Sequence, residues 1–255
     1  MKKLFLILMA CFLLAGVSEA VQTRVVVRAK AKDAKFIGST MGGALVVIRD
    51  SDTGEVLARG FTSGGTGDTR KIMMEPLKRG VSVIDKSAAE FEAVLDISEP
   101  KLVTIAVSAP YAQRQSLAQN TVQVWLIPGK DITGDGIIVD VYGFSVKVLL
   151  PQPHELLRLD GGRITVPVRA NVVMMCGCPV TAGGLWDADK YEVKAFVKHD
   201  GKTVVTIPLA YANRPNTFEG TLEVTGKGVY EVTVYAFDPA TGNSGVDRTT
   251  FMVGM

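Results

Sequence analysis

Residues 24–32 read Arg-Val-Val-Val-Arg-Ala-Lys-Ala-Lys. Their second half alternates. Val27, Ala29 and Ala31 fall on one side and Arg28, Lys30 and Lys32 on the other, the period of two of a strand with one face on a core and one in water. Outward from there, the same kind of segment recurs. Ala44-Leu45-Val46-Val47-Ile48 lies between Gly42-Gly43 and Asp50-Ser51-Asp52-Thr53-Gly54. The second cluster is a turn with a mechanism: an Asp side chain bonds nearby backbone N–H groups, and Gly accepts positive φ. Further strands are predicted over 91–97, 102–108, 121–127, 137–141 and 144–149. The stretch 64–90 is less regular. Gly64-Gly65 opens it and Ile72-Met73-Met74-Glu75-Pro76 lies within it, which suits either one short helix or a long connecting loop.

Leu150-Pro151-Gln152-Pro153-His154-Glu155 then interrupts the pattern. Two prolines in three residues stiffen the chain and remove hydrogen-bond donors, so this segment reads as a domain boundary. Strand rhythm restarts over 164–174, 191–198, 203–209, 218–224, 229–237 and 248–253, with His199-Asp200-Gly201-Lys202 as a hairpin turn between two of these. No strong helix and no repeat period stand out in this half. The expectation is an all-β chain of two tandem antiparallel β-sandwich domains, of immunoglobulin and transthyretin-like type: 21–150, a Pro-containing linker at 151–156, and 157–255.

Residues 1–20 read as an export signal. Lys2 and Lys3 precede an apolar run over 4–16 that is too short to span a bilayer, and Ser18-Glu19-Ala20 places small residues at −3 and −1 of a cleavage site. Leu8-Met9-Ala10-Cys11 loosely resembles a lipoprotein box, but Cys11 lies inside the apolar run, so cleavage after Ala20 is preferred. The mature chain is expected in the periplasm or outside a bacterial cell. The whole chain has 28 basic and 26 acidic residues. Without Lys2, Lys3 and Glu19 the balance is +1, which gives no global attraction for nucleic acid or an anionic membrane. No later apolar run is long enough to span a membrane.

Two family resemblances follow from these segments. GALVVIRDSDTGEVLARGFTSGGTGDT, residues 43–69, resembles the start of a carboxypeptidase-regulatory-like (transthyretin-like) domain: a strand, a D-x-x-T-G turn, a second strand and a Gly-rich return. GVYEVTVYAFDPATGNSGVDRTTFMV, residues 228–253, resembles the last hairpin of bacterial immunoglobulin-like domains, where a G-x-Y strand leads through a Gly-Asn turn into a final strand. Both resemblances imply β-sandwich modules of surface and accessory proteins. Neither brings catalytic residues, and such scaffolds host many functions.

The one local hint of chemistry is Met174-Met175-Cys176-Gly177-Cys178. Cys176 and Cys178 are the only cysteines after the leader. In an oxidising compartment two such thiols tend to join. In a straight strand, however, residues i and i+2 stand roughly 6.6–7 Å apart at Cα, at or past the upper limit for a disulfide. Gly177 permits the bend that would bring them together, and Pro179 helps end the strand. A disulfide here closes a tiny loop and would serve local shape or redox chemistry more than global stability. A second reading is a soft-metal site. Met174, Cys176 and Cys178 share parity in an extended segment, and thiolate with thioether suits Cu(I), or Zn(II) through thiolate; His154 and His199 are further donors. Thiol–disulfide exchange and an intermolecular bond are the remaining readings.

Two weaker candidates accompany it. Asp131, Thr133 and Asp135, followed by Gly136, echo positions 1, 3, 5 and 6 of a calcium loop. Tyr142 stands at position 12, where a bidentate acid is needed, so a hairpin turn at Gly134-Asp135-Gly136 is the plainer reading. Trp186 and Asp187, after Gly183-Gly184, read either as an aromatic anchor at the sandwich edge or as a partly exposed partner contact. No catalytic triad, H-E-x-x-H, P-loop or dinucleotide fingerprint is present. The expected function is therefore a non-catalytic binding or structural accessory protein of the cell envelope. It would need no cofactor and would contact another envelope protein or its own kind. The rival is a copper-binding or thiol-redox accessory protein using Met174–Cys178.

Overall fold

Where apolar and polar residues alternate between turn-forming clusters, the computed structural model, which describes residues 19–254, places strands. The cleavage signal proper lies outside the described residues. The first unit contains β1 (Val21–Ala31), β2 (Leu45–Asp50), β3 (Val56–Phe61), β4 (Phe91–Ile97), β5 (Lys101–Ala109), β6 (Ala118–Leu126) and β7 (Ile132–Val141). They form one sheet of order β4-β1-β7 and a second of order β3-β2-β5-β6. Val25, Val27, Ala29 and Ala31 of β1 are buried with Val46 and Ile48 of β2 and with Val103, Ile105 and Val107 of β5. The Asp50–Gly54 turn joins β2 to β3. Asp50 Oδ1 accepts the N–H groups of Asp52 and Thr53 at 2.9 and 3.0 Å. Asp50 Oδ2 meets Lys101 Nζ at 2.6 Å.

Three expectations change in this unit. The sheets are not wholly antiparallel: β1 and β7 run parallel, because side-chain period reports which face is buried and not strand direction. Gly134-Asp135-Gly136 is not a hairpin turn. It is an irregularity inside the β1–β7 pairing, whose register jumps from Val25↔Ile132 to Val27↔Ile137. Arg28, expected in water, is only 5% exposed. The segment before β4 folds over its face, and the guanidinium donates to the carbonyls of Ala88 (2.7 Å), Ala89, Gly134 and Asp135 (3.3 Å each) and pairs with Glu90. The region 64–90 holds one π-helical turn, Arg70–Met74, and is otherwise a connecting loop tied back by bridges Ser63↔Glu90 and Gly65↔Ala88.

The second unit contains β8 (Phe144–Leu150), β9 (Glu155–Leu157), β10 (Ile164–Met174), β11 (Glu192–His199), β12 (Lys202–Pro208), β13 (Ala210–Tyr211), β14 (Thr217–Val224), β15 (Gly228–Phe237) and β16 (Ser244–Val253). The sheets are β13-β14-β10-β8 and β12-β11-β15-β16-β9. With β8, β10, β11, β12, β13, β14, β15 and β16 lettered A, B, C, C′, D, E, F and G, these are the A-B-E-D and G-F-C-C′ sheets of an immunoglobulin-like sandwich. The Tyr230 hydroxyl donates to the Gly226 carbonyl at 3.0 Å, four residues upstream at the E–F corner, which is the tyrosine corner of that fold. The β11–β12 hairpin closes at His199↔Lys202 with Asp200 and Gly201 at positive φ, as a two-residue hairpin turn requires. β9 runs parallel to β16.

The strand pairing also moves the division of the chain. β8 precedes the proline pair, yet it pairs with β10 from Phe144↔Met174 to Leu150↔Arg169. It is therefore strand A of the second sandwich, and Pro151 and Pro153 sit within that sandwich instead of between two units. A long-range pairing of this kind leaves no local mark in composition. The two sandwiches share one contiguous buried apolar cluster, and no helix among the described residues is long and apolar enough to cross a membrane.

Candidate functional site at the junction of the sandwiches

The second sandwich meets the first through its B–C and F–G loops, two of the loops that form the recognition end of an immunoglobulin variable domain. The B–C loop begins where β10 stops. Its apolar strand ends at Met174, and the chain turns immediately: Gly177 N donates to Met174 O at 2.7 Å and Met174 N to Cys178 O at 3.3 Å. Gly177 has φ +81°, a conformation open to glycine at little cost. The turn draws the Cα atoms of Cys176 and Cys178 to 5.5 Å and sets their sulfurs at disulfide distance. A Cβ on Gly177 would stand 3.0 Å from Met41 Sδ, so the apex of the turn rests on the 3₁₀ turn Ser39–Met41 of the first sandwich.

This turn removes the premise of the shared-parity argument. Met174 is the last strand residue and the cysteines lie beyond the bend, so the three side chains do not share a face by alternation. Met174 and Met175 are buried core residues, and the Tyr191 hydroxyl approaches Met174 Sδ at 4.0 Å. Cys176 and Cys178 are 1% and 5% exposed. As a disulfide the pair would present no thiolate; as free thiols it would keep both.

Trp186 is 6% exposed, which fits the aromatic-anchor alternative and not a partly exposed side chain. Its indole N–H donates to the Asp33 carbonyl of the first sandwich at 2.9 Å. Asp187 is turned inward to its own loop, where Oδ1 accepts Gly183 N at 2.8 Å and Asp189 N at 3.2 Å. Those N–H groups hold its carboxyl below the usual range.

The F–G loop is a second D-x-x-T-G turn, Asp238 to Gly242, and it carries the anchor of the junction. Asn243, fully buried, donates from Nδ2 to Lys32 O at 3.0 Å and accepts Gly143 N on Oδ1 at 2.9 Å. Val146 of strand A is also held by the Arg114–Ser116 turn of the first sandwich: the Ser116 hydroxyl accepts Val146 N at 3.1 Å, and Gln115 donates to Val146 O at 3.1 Å. Asp238, Asp33 and Asp187 act electrostatically on Tyr191. Burial, then these carboxylates, push its phenol far above the ordinary value. Desolvation, then Asp238, raise the Asp33 carboxyl, and Lys30 and Lys32 oppose that rise.

No family model matches the chain, and neither does any curated protein. Solved structures match parts of the chain. An engineered protein from a structural genomics consortium is 18% identical over 51% of this chain and 24% of its own, with a TM-score of 0.31. The fibronectin(III)-like modules of Clostridium thermocellum CbhA are 10% identical over 91% of this chain and 94% of theirs, with a TM-score of 0.30. Escherichia coli alpha-2-macroglobulin activated by porcine elastase is 12% identical over 94% of this chain and 22% of its own, with a TM-score of 0.22. The chain thus spans about a quarter of the first of these and about a fifth of the third.

The remaining candidates lie elsewhere. Asp131 Oδ1 accepts Arg24 N at 2.8 Å, whereas Asp135 takes the Ser82 hydroxyl on its carboxylate, so the two acids of the calcium-loop echo serve different partners. Thr133 and Asp135 line a cleft beside Arg28 and Glu90. His154 is exposed in a turn; His199 stacks on Tyr230 with ring centroids 4.3 Å apart. Among the described residues no group of three or more His, Cys, Asp or Glu side chains is placed to hold a metal ion. Sequence reasoning missed Met41, Asp33 and Asn243. The partners of Asn243 are 100 and 211 residues away in the chain, and the only local signal was the Gly-Asn turn of the immunoglobulin-like resemblance.

Proposed function

We propose that this chain is an exported, non-catalytic binding module of a bacterial cell envelope, a carboxypeptidase-regulatory-like sandwich followed by an immunoglobulin-like one, and that it acts by contact with another envelope protein. The observation that carries this reading is the distribution of surfaces. The B–C and F–G loops, with the one chemically suggestive motif, face the neighbouring sandwich. The outward face of the β12-β11-β15-β16-β9 sheet is left open and bears Phe196, Phe237 and Val246, all exposed, with Phe196 stacked on Tyr235 at 5.3 Å. Lys194, Glu192, Lys198 and Arg248 flank that aromatic centre on the same strands. Aromatic residues inside a charged rim are the composition of a protein-contact centre. The export reading draws support from β1, which starts at Val21, the first residue after the expected cleavage. A disulfide between Cys176 and Cys178 would also suit a compartment outside the cytosol.

A photo-cross-linking residue at Phe196, compared with one at Lys71 on the 64–90 loop, tests the contact. The expected result is a discrete adduct from position 196 in intact cells that disappears with Tyr235→Ala. Adducts from position 71 alone would refute the assignment of the face. N-terminal sequencing of the cell-envelope or culture fraction should begin at Val21, and a chain retaining Met1 in the cytosol would refute export.

A further inference from the structure

We propose that the Cys176–Cys178 disulfide is a redox-sensitive strut that fixes how the second sandwich seats on the first, and that the closed junction shields it from reductant. The inference is independent of which partner the protein contacts. Only one residue separates the cysteines, so the bond restrains the unfolded chain very little and its effect lies in local shape. It ties together Cα atoms that the turn sets 5.5 Å apart, and an extended segment would open them by about 1 Å. The turn is closely packed on its neighbours. The apex Gly177 is so close to Met41 that an added Cβ would be 3.0 Å from its sulfur, and one on Gly143 would lie 3.0 Å from Met175 Cε and 2.7 Å from Ser244 O. A close-packed interior transmits such a displacement to its neighbours. Here the neighbours are the Met41 turn and the Asp33 carbonyl that receives Trp186.

The chemistry is exchange with a dithiol reductant. A thiolate of the dithiol attacks one sulfur of the pair and expels the other as a thiolate. The second thiol of the reagent then displaces the first cysteine. Two electrons and two protons pass to Cys176 and Cys178, and the reagent leaves as its own disulfide. Both cysteine residues are 5% exposed or less, so on this proposal attack by a dithiol requires the junction to part. Reduction rate therefore reports junction opening, and reduction in turn favours the open form.

The experiment treats the folded chain with dithiothreitol, quenches by alkylation and counts modified thiols by mass, while hydrogen exchange is followed over residues 31–43. Reduction is expected to be at least about 100-fold slower than in the same chain unfolded in urea. Trp186→Phe, which keeps an aromatic ring but loses the bond to Asp33, should speed it about 5–10-fold. Once reduced, the protein should show faster exchange over 31–43 with unchanged protection in β5. Cys176→Ser/Cys178→Ser should show the same faster exchange without reductant. If that variant does not fold, the wild-type chain reduced in place gives the readout. Reduction of the folded chain as fast as the unfolded one, or identical exchange over 31–43 in the oxidised and reduced states, would overturn the proposal.

Discussion

Replacing Asn243 by alanine removes one side-chain amide and breaks two hydrogen bonds that hold the sandwiches together. Lys32 O loses its donor at 3.0 Å and Gly143 N its acceptor at 2.9 Å, and the residue between them is fully buried. A buried polar group left without a partner costs about 1–3 kcal/mol. Two such groups, one of them on a part-buried carbonyl that water reaches when the loop relaxes, give an expected loss of about 2–4 kcal/mol. The assay is urea unfolding followed by tyrosine and tryptophan fluorescence, with amide exchange at Gly143 read separately. Asn243→Asp is the control. It keeps an acceptor for Gly143, loses the donor to Lys32 and places a carboxylate at a junction that already holds Asp33 and Asp238, so it should be no better than alanine. A loss below about 1 kcal/mol in Asn243→Ala, with Gly143 still protected, would refute the assignment of Asn243 as the anchor.

Two further outcomes follow from the first sandwich. Arg28→Met leaves the four carbonyls and Glu90 without their common donor and should cost about 3 kcal/mol, with protease cleavage appearing within 82–90 before the sheets unfold. The Asp50 carboxyl is held down at about 2 by Lys101 first and then by the N–H groups of Thr53 and Asp52. Since its folded value lies below the unfolded one of about 3.9, its contribution is complete above about pH 4 and is lost as pH falls through about 2. In acid titration, Asp50→Asn should remove that part of the pH dependence of stability, and carboxyl NMR of the wild type should show the low midpoint.

Most of the strands were legible because their evidence is local. Segments 91–97 and 164–174 alternate between turn clusters, and both coincide with the strands found, β4 and β10. The three-residue β9 and two-residue β13 are too short to show a period. Partnership was not legible. Nothing in Phe144–Leu150 says that it pairs with β10, and the adjacent prolines pointed the other way. The alternation around Arg28 is that of a strand, but its apparent wet face is covered by an irregular loop with no period of its own. At Cys176-Gly177-Cys178, residue spacing shows that a disulfide would require a bend and that Gly177 permits one. It held no trace of Met41, because that contact depends on how two separate sheets meet.

Strand A of the second sandwich is encoded ahead of the proline pair, and this bears on how the gene is cut. Expression of residues 151–255 alone would deliver a sheet lacking a border strand, with the hydrogen-bonding edge of β10 bare and ready to aggregate. The complementary fragment would trail seven residues with nothing to pair with. A break after Val141 keeps every ladder with its owner, yet it strips the first piece of the cover that Trp186 and Asn243 provide.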